Sequence, residues 1–466
     1  MVETRNGLRY SHKHIINYIF FLLSILIVVA IWPADKSDTW PELMGTILIV
    51  SACYLILYLF LAHFRAEILE VTRKTLFIIL IILFFIILTR IVISLQKPGI
   101  LFLVPYTMIP IVICTFYDSR LALFIMLITL MLAGFIVPSP FEFVFISFIA
   151  GVAAIFSLTN IYRHYKLFYS SAVVILSYSV IHFASGIMNG NSIADIKMAD
   201  YVLFLGNGIL ILLSYPLIFM FEKNFYFLSD TTLLELSNLN NKLLLRFSED
   251  APGSFQHSLQ VSNLAEEAAR GVGANSLLAR TGSLYHDIGK MIDSGFFIEN
   301  MSNYFNPHLN LDPLEISSII LNHVKECVIL ARMYKLPVQI IDFIRTHHGT
   351  TKAYFFYIKF LETGKTDAES ENLFEYPGPK PFSKETAIVM MADAVEASSR
   401  TLDEYNEYTI GELVERIIDL QEQSDQFSDA PLTFREITEI KGILKKRLMN
   451  IHHARTKYPE RDLKKV

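Results

Sequence analysis

The sequence predicts an all-α protein: a multi-span helical membrane domain followed by a cytoplasmic all-α bundle. Three observations carry this. First, residues 75–160 hold only five charged side chains, Arg90, Lys97, Asp118, Arg120 and Glu142, in a chain that is 53% apolar and 18% charged overall. That density suits lipid better than water. Second, from Glu222 onward the composition is that of a soluble domain, with helical periodicity and no alternation of the kind strands show. Third, five histidines and two aspartates are spread over successive helical segments of that second half, as a built site requires.

The chain has 466 residues, enough for two or three domains. Net charge is -5, so no global basic field argues for a nucleic acid polymer as partner. The three cysteines, Cys53, Cys114 and Cys327, have no spacing pattern, which argues against a disulfide framework or zinc ribbon.

The N-terminus places Arg5, Arg9 and Lys13 before a long apolar run. No small-residue cleavage site follows Trp32, so this reads as a retained signal anchor. Eight apolar segments approach the roughly 20 residues a crossing helix needs: 15–32, 43–63, 75–95, 100–117, 121–137, 143–160, 167–187 and 201–221. Turn residues separate them at Lys97-Pro98-Gly99, Asp118-Ser119-Arg120, Pro138-Ser139-Pro140 and Asn189-Gly190-Asn191. Positive charge sets the orientation. Arg5, Arg9, Lys13, Arg65, Arg73, Lys74, Arg120, Arg163, Lys166 and Lys223 fall on one side; Lys36, Lys97, Lys197 and Arg90 fall on the other. This asymmetry places the N-terminus and the C-terminal domain in the cytoplasm. Arg90 and His182 lie within the spans; one reading is snorkelling and a helix–helix hydrogen bond, the other a functional group.

Residues 222–253 carry leucines at helical spacing and read as an amphipathic linker helix, either a dimer coiled coil or the first packed helix of the next domain. A homodimer partner is therefore open. Ser254 is expected to cap the next helix. Helices are then expected over 254–272, 276–287 with Gly289 as terminator, 314–333, 338–348, 384–402, 413–420 and 432–453. Residues 362–375 read as a loop, and Tyr376-Pro377-Gly378-Pro379-Lys380-Pro381 as a stiffer connector. The domains are thus 1–42 (anchor and short external loop), 43–221 (about seven spans), 222–253 (linker) and 254–466 (the chemical domain).

The pair His286-Asp287 is the centre of the chemical reading. With His257, His323, His347, His348 and Asp393 it makes a ligand set of imidazoles and carboxylates without thiolate, which suits Mn²⁺ or Fe²⁺. A carboxylate has two oxygens, so Asp287 can bridge. His257, His286, Asp287 and Asp393 are assigned to one ion; Asp287, His323, His347 and His348 to the other. Two ions about 3.5–4 Å apart can activate a water and neutralise the attacking and leaving oxygens of a displacement at phosphorus. Taken singly, a helical histidine is more often a packed or surface residue; the constellation is what argues for a two-metal hydrolase. Lys290 either contacts a substrate phosphate or compensates the helix C-terminus.

The order His257, His286-Asp287-Ile288-Gly289-Lys290, His323, His347-His348-Gly349, Asp393 resembles the HD-domain phosphohydrolases of the HDIG type. Ala251-Pro252-Gly253-Ser254, Phe296-Phe297-Ile298-Glu299-Asn300, Tyr376-Pro377-Gly378-Pro379-Lys380-Pro381 and Met391-Ala392-Asp393-Ala394-Val395-Glu396-Ala397 narrow the resemblance. They are similar to the PgpH-type membrane-anchored enzymes of the seven-transmembrane-receptor HD family. The resemblance implies a cytoplasm-facing phosphodiesterase that hydrolyses cyclic di-AMP to linear pApA. It also implies two divalent ions, Mn²⁺ or Fe²⁺; the candidate catalytic residues beside them are Asp287, His286 and Lys290. Cyclic di-GMP or another nucleotide substrate, and a non-catalytic nucleotide-binding receptor, are the rival readings. Members of that family usually carry a large extracellular domain between the first two spans, whereas here only Pro33 to Leu43 separates them.

Overall fold

Helices form nearly every element of the computed structural model, which describes residues 2–32, 39–96, 99–158, 165–190, 197–301, 311–363 and 370–453. Among the described residues the one β-type pairing is an isolated bridge between Lys352 and Glu375. The chain divides into two compact units, Met1–Ser229 and Asp230–Val466.

The first unit contains α1 (Val2–Ile31), α2 (Trp40–Phe64), α3 (Ala66–Leu69), α4 (Thr72–Ser94), α5 (Met108–Phe116), α6 (Ser119–Gly134), α7 (Pro140–Ser157), α8 (Tyr165–Met188), α9 (Met198–Ile211) and α10 (Ser214–Phe225). Five stretches are long and apolar enough to cross a membrane: Trp40–Phe64, Thr72–Ser94, Pro140–Ser157, Leu167–Met188 and Met198–Phe225. Three shorter apolar stretches, Ile15–Ile31, Ile100–Phe116 and Ser119–Gly134, fall on the remaining expected segments. The unit is that of a membrane protein.

Two of these segments are not single helices, and proline explains both. In the fourth, Pro105 separates a 3₁₀ turn at Ile100–Leu103 from α5. The freed carbonyls are not left orphaned: Asn207 Nδ2 donates to Phe102 O at 2.7 Å and to Val104 O at 3.2 Å. Irregular backbone in a lipid-embedded unit survives only where protein satisfies it. In the eighth, α9 stops at Ile211 and α10 starts at Ser214, because Pro216 lacks an N–H and its ring crowds the carbonyl of Leu212. Arg65 pairs with Asp118, the residue that caps α6 through Leu121 N at 2.9 Å, so those two turns meet at one end of the bundle. His182 of α8 lies 3.7 Å from Glu142 of α7 and 3.4 Å from Asp200 of α9, a three-helix polar tie within the apolar bundle. Lys36, Lys97, Pro98, Arg163 and Asn191, and the short loop expected between the first two spans, lie outside the described residues. So do the side chains of Arg5, Arg9, Lys13 and Lys166.

The second unit contains α11 (Asp230–Leu236), α12 (Lys242–Asp250), α13 (Pro252–Gly271), α14 (Ser276–Tyr285), α15 (Pro313–Met333), α16 (Val338–Thr346), α17 (Tyr354–Glu362), α18 (Lys384–Ser399), α19 (Glu407–Gln423) and α20 (Phe434–His453). α18 is its axis. From Thr386 to Val395 all but Ala394 are buried, and α13, α14, α16, α19 and α20 pack around it. A helix that is apolar on nearly every side belongs at the centre of a bundle, and here it carries Asp393 into the interior.

The structure corrects several expectations. The linker is not one helix: Asn238 Oδ1 accepts from Asn240 N at 3.0 Å, and Asn241 caps α12 through Leu243 N at 3.0 Å. Asparagine side chains that bond nearby backbone compete with helix continuation. Its two short helices pack into the second unit, with Tyr285 Oη donating to Leu236 O at 2.7 Å. Ser254 does not cap α13, because that helix already begins at Pro252, whose fixed φ suits the first helical turn. Of the expected loop 362–375, residues 364–369 lie outside the described residues, while Ser370–Phe374 forms a 3₁₀ turn that buries Phe374.

Candidate metal centre

The seven candidate side chains reach the interior from five elements. His257 stands in the second turn of α13, His286 and Asp287 in the turn after α14, His323 mid-way along α15, His347 and His348 just past α16, and Asp393 on α18. The structure brings all seven together. His286 is fully buried, Asp287 1% exposed and Asp393 5% exposed.

The two oxygens of Asp287 face different imidazoles. Oδ2 lies 3.2 Å from His286 Nε2 and 3.7 Å from His257 Nε2. Oδ1 lies 3.3 Å from His323 Nε2 and 3.6 Å from His347 Nε2. Asp393 Oδ1 sits 2.9 Å from His257 Nε2 and 3.6 Å from His286 Nε2, and its Oδ2 is 3.7 Å from His348 Nδ1. Three groups of side chains converge closely enough to hold an ion: His257–His286–Asp393, His286–Asp287–His347 and His323–His347–His348.

The imidazoles are aimed from behind. His286 Nδ1 contacts Ser283 O at 2.7 Å, His323 Nδ1 contacts Ile320 O at 2.5 Å, and His347 Nδ1 contacts Ile344 O at 2.8 Å. Each Nδ1 keeps its proton for a carbonyl, so each Nε2 turns inward as the nitrogen that faces a metal. Yet His286 Nε2 and Asp287 Oδ1 are buried without a hydrogen-bond partner. Leaving such atoms orphaned costs about 1–3 kcal/mol each. A cation between them satisfies both, and the oxygen and imidazole donors suit a divalent first-row metal. The residues present fit such a group.

Electrostatics agree. Burial pulls the His286 imidazole down, but the Asp287 and Asp393 carboxylates more than reverse this and leave it raised to about 10. Burial and the adjacent His286 push His347 down to about 3. Burial works against the Asp287 carboxylate, but His286 and Lys290 hold it well below its ordinary range. Lys290 Nζ is gripped by Asp287 Oδ2 at 2.8 Å and Glu299 Oε1 at 2.9 Å, rather than lying over the end of the helix. Tyr376 lies against His348, ring centres 4.1 Å apart.

Gly289 is not the left-handed terminator the sequence predicts. A Cβ there would meet His323 O at 2.4 Å and Cys327 N at 2.5 Å, so its role is to let α15 approach the His286-Asp287 turn. Gly349 does adopt a positive φ of 54°, and a Cβ there would meet Gln426 Oε1 at 2.3 Å.

Several supporting residues were missed in the sequence because they carry no metal-ligand signature. Cys327 Sγ accepts from Gly289 N at 2.8 Å and donates to His286 O at 3.3 Å, fastening the turn. Burial and the nearby Asp287 push its thiol up, so it stays neutral and can donate. Cys327→Ala should therefore lower stability by about 1–2 kcal/mol through the stranded Gly289 N–H, read as an earlier thermal transition of the full chain in micelles; an unchanged transition would contradict this role. Ser254 Oγ donates to Glu299 Oε1 at 2.8 Å, and Asn300 Oδ1 accepts from Gly253 N at 2.8 Å and Ser254 N at 3.1 Å. One signal could have pointed to Glu396: it stands one helical turn after Asp393, on the same face.

Two family models match the chain in tandem. That described as 7TM receptor with intracellular HD hydrolase matches residues 40–229, and that of the HD domain matches residues 254–398. The chain belongs to the family of seven-transmembrane receptors with an intracellular HD hydrolase. Among curated proteins, it is similar to the cyclic-di-AMP phosphodiesterase PgpH of Bacillus subtilis (strain 168), 41% identical over 62% of this chain and 40% of that one. It is also similar to the cyclic-di-AMP phosphodiesterase PgpH of Listeria monocytogenes serotype 1/2a (strain 10403S), 30% identical over 96% of this chain and 59% of that one. The chain thus spans 40% and 59% of the length of these two relatives. A crystal structure of the L. monocytogenes PgpH HD domain is 39% identical, covering 46% of this chain and all of that one, with a TM-score of 0.44. In this seven-transmembrane HD family member, the seven candidate side chains of the centre lie between positions 257 and 393, inside the segment the HD model matches.

Proposed function

We propose that this chain is a metal-dependent phosphodiesterase that hydrolyses cyclic di-AMP to linear pApA, with a domain of residues 254–466 facing the cytoplasm. The observation that carries the reading is Asp287, whose two oxygens serve two separate sets of imidazoles. A single structural ion needs no such division. The names of the two relatives supply the substrate class, and the excess of positive charge on one set of loops supports the orientation.

His257, His286, Asp287 and Asp393 would hold one ion, and Asp287, His323, His347 and His348 the other. Two bound divalent ions, Mn²⁺ or Fe²⁺, supply a more acidic water and positive charge at phosphorus. The chain's own residues do the rest. Lys290 pins Asp287 Oδ2 and places an ammonium beside the site. The carbonyls behind His286, His323 and His347 fix their tautomers. The aromatic ring of Tyr376 beside His348 offers a face for a base to stack on.

The test uses the full chain in detergent micelles with Mn²⁺, cyclic di-AMP and cyclic di-GMP side by side, and products resolved by chromatography. The reading expects pApA and faster turnover of cyclic di-AMP. Metal-loaded protein that binds the dinucleotide and releases no product sinks it in favour of a receptor.

Metal binding should also depend on pH. In the metal-free site His286 holds a proton at neutral pH, since its imidazole is raised to about 10. An ion must displace that proton, so affinity falls as pH falls, by roughly tenfold per pH unit for one proton displaced. Mn²⁺ titrations of the full chain at pH 6, 7 and 8 measure this; an affinity that is flat or rises in acid is the contrary result.

A further inference from the structure

We infer that Glu396, clamped by Arg400, is a positioning residue that orients His257 for one of the two ions and leaves the other ion unaffected. The inference rests on the two-metal reading above. His286, His323 and His347 are each aimed by the backbone carbonyl three residues earlier. His257 is aimed differently. Its Nδ1 meets Glu396 Oε2, and its Nε2 meets Asp393 Oδ1 at 2.9 Å. Asp393 and Glu396 stand one turn apart on α18, so a candidate ligand and the group that orients its neighbour ride on one rigid, buried helix.

Glu396 is itself held. Arg400 donates to its Oε1 from Nε at 3.1 Å and from Nη2 at 2.7 Å. Both donors take the same oxygen, which leaves Oε2 for the imidazole. A fixed carboxylate behind Nδ1 locks the tautomer with its Nε2 lone pair inward, and it makes that nitrogen a stronger donor than a carbonyl does. The effect should be local. His257 converges only with His286 and Asp393, and the group His323–His347–His348 shares no residue with that one, His286–Asp287–His347 lying between them.

The rival account is that Glu396–Arg400 is a plain i,i+4 ion pair that stiffens α18. Metal stoichiometry separates the two. The metal-free full chain in micelles is titrated with Mn²⁺ and followed by calorimetry and by electron paramagnetic resonance. Wild type should take two ions, with the spectrum of a coupled pair. Glu396→Ala should weaken one ion ~10- to 100-fold and leave the other within about twofold, converting the spectrum at sub-saturating metal to that of an isolated Mn²⁺. Glu396→Gln keeps volume and a neutral acceptor, so it should lose less, ~3- to 10-fold; it also carries the comparison if the alanine variant fails to fold. Variants that bind both ions as wild type does, or that weaken both equally, overturn the inference. A wild-type chain that takes fewer than two ions overturns the two-metal reading itself, and is seen before any variant is made.

Discussion

Asp287→Ala should abolish both turnover and metal binding, the largest kinetic effect expected anywhere in the chain. The carboxylate is 1% exposed, and its two oxygens lie 3.2–3.7 Å from four imidazole nitrogens. Its removal takes away the carboxylate that both sets of imidazoles share and leaves Asp393 as the one carboxylate of the seven candidates. It also unties Lys290, whose ammonium then repels an approaching cation. Loss of turnover of ~10⁴-fold corresponds to about 5.5 kcal/mol of transition-state stabilisation, a plausible magnitude for losing both ions of such a site. Asp287→Asn is the sharper control. It preserves shape, but its amide is neutral and one oxygen becomes a donor. Metal content by mass spectrometry and product by chromatography measure both variants. Retention of two ions, or of a tenth of the activity, would show that Asp287 is not the bridge.

Lys290→Met should produce the largest loss of stability. The ammonium sits between Asp287 and Glu299 at 2.8 and 2.9 Å, with 13% of its side chain exposed. Burial raises the Glu299 carboxyl, and Lys290 more than reverses this, so the carboxylate depends on its partner. Methionine fills the same space, leaves the Glu299 carboxylate without its cation and leaves Asp287 to His286. Breaking a buried pair in this way costs about 3–5 kcal/mol. Two further measurements test the cause. Adding Glu299→Gln should return part of the loss, because one anion goes with it. Mn²⁺ should return another part, because the ions compensate Asp287 but not Glu299. Thermal unfolding in micelles follows all three. A Lys290→Met transition at the wild-type temperature, or one that Glu299→Gln makes worse, would place the stabilising charge elsewhere.

The candidate ligand set was legible because metal chemistry restricts residue type. Imidazoles and carboxylates at His257, His286-Asp287, His323, His347-His348 and Asp393 stand out against a helical background that periodicity reveals. The supporting set was not legible. Cys327 reads as an apolar helical residue until its thiol is found over Gly289. Glu396 enters the sequence reading only as part of the stretch Met391 to Ala397, with no role of its own, until α18 proves to be the buried axis of the bundle. Gly289 reads as a helix stop, because sequence cannot distinguish a positive φ from a close approach by a distant backbone.

Length and hydropathy determined by themselves that helices cross a membrane in the first half, since only a continuous apolar run satisfies lipid. They also determined that a helical bundle follows, and which side chains were candidates for its site. Tertiary structure alone decided how the broken segment is satisfied, because the carbonyls of Phe102 and Val104 lie a hundred residues from Asn207 and meet it only in the fold. It alone decided which oxygen of Asp287 faces which imidazole, and what stands behind each ring. Residue type follows from local chemistry, whereas orientation depends on contacts between segments remote in sequence.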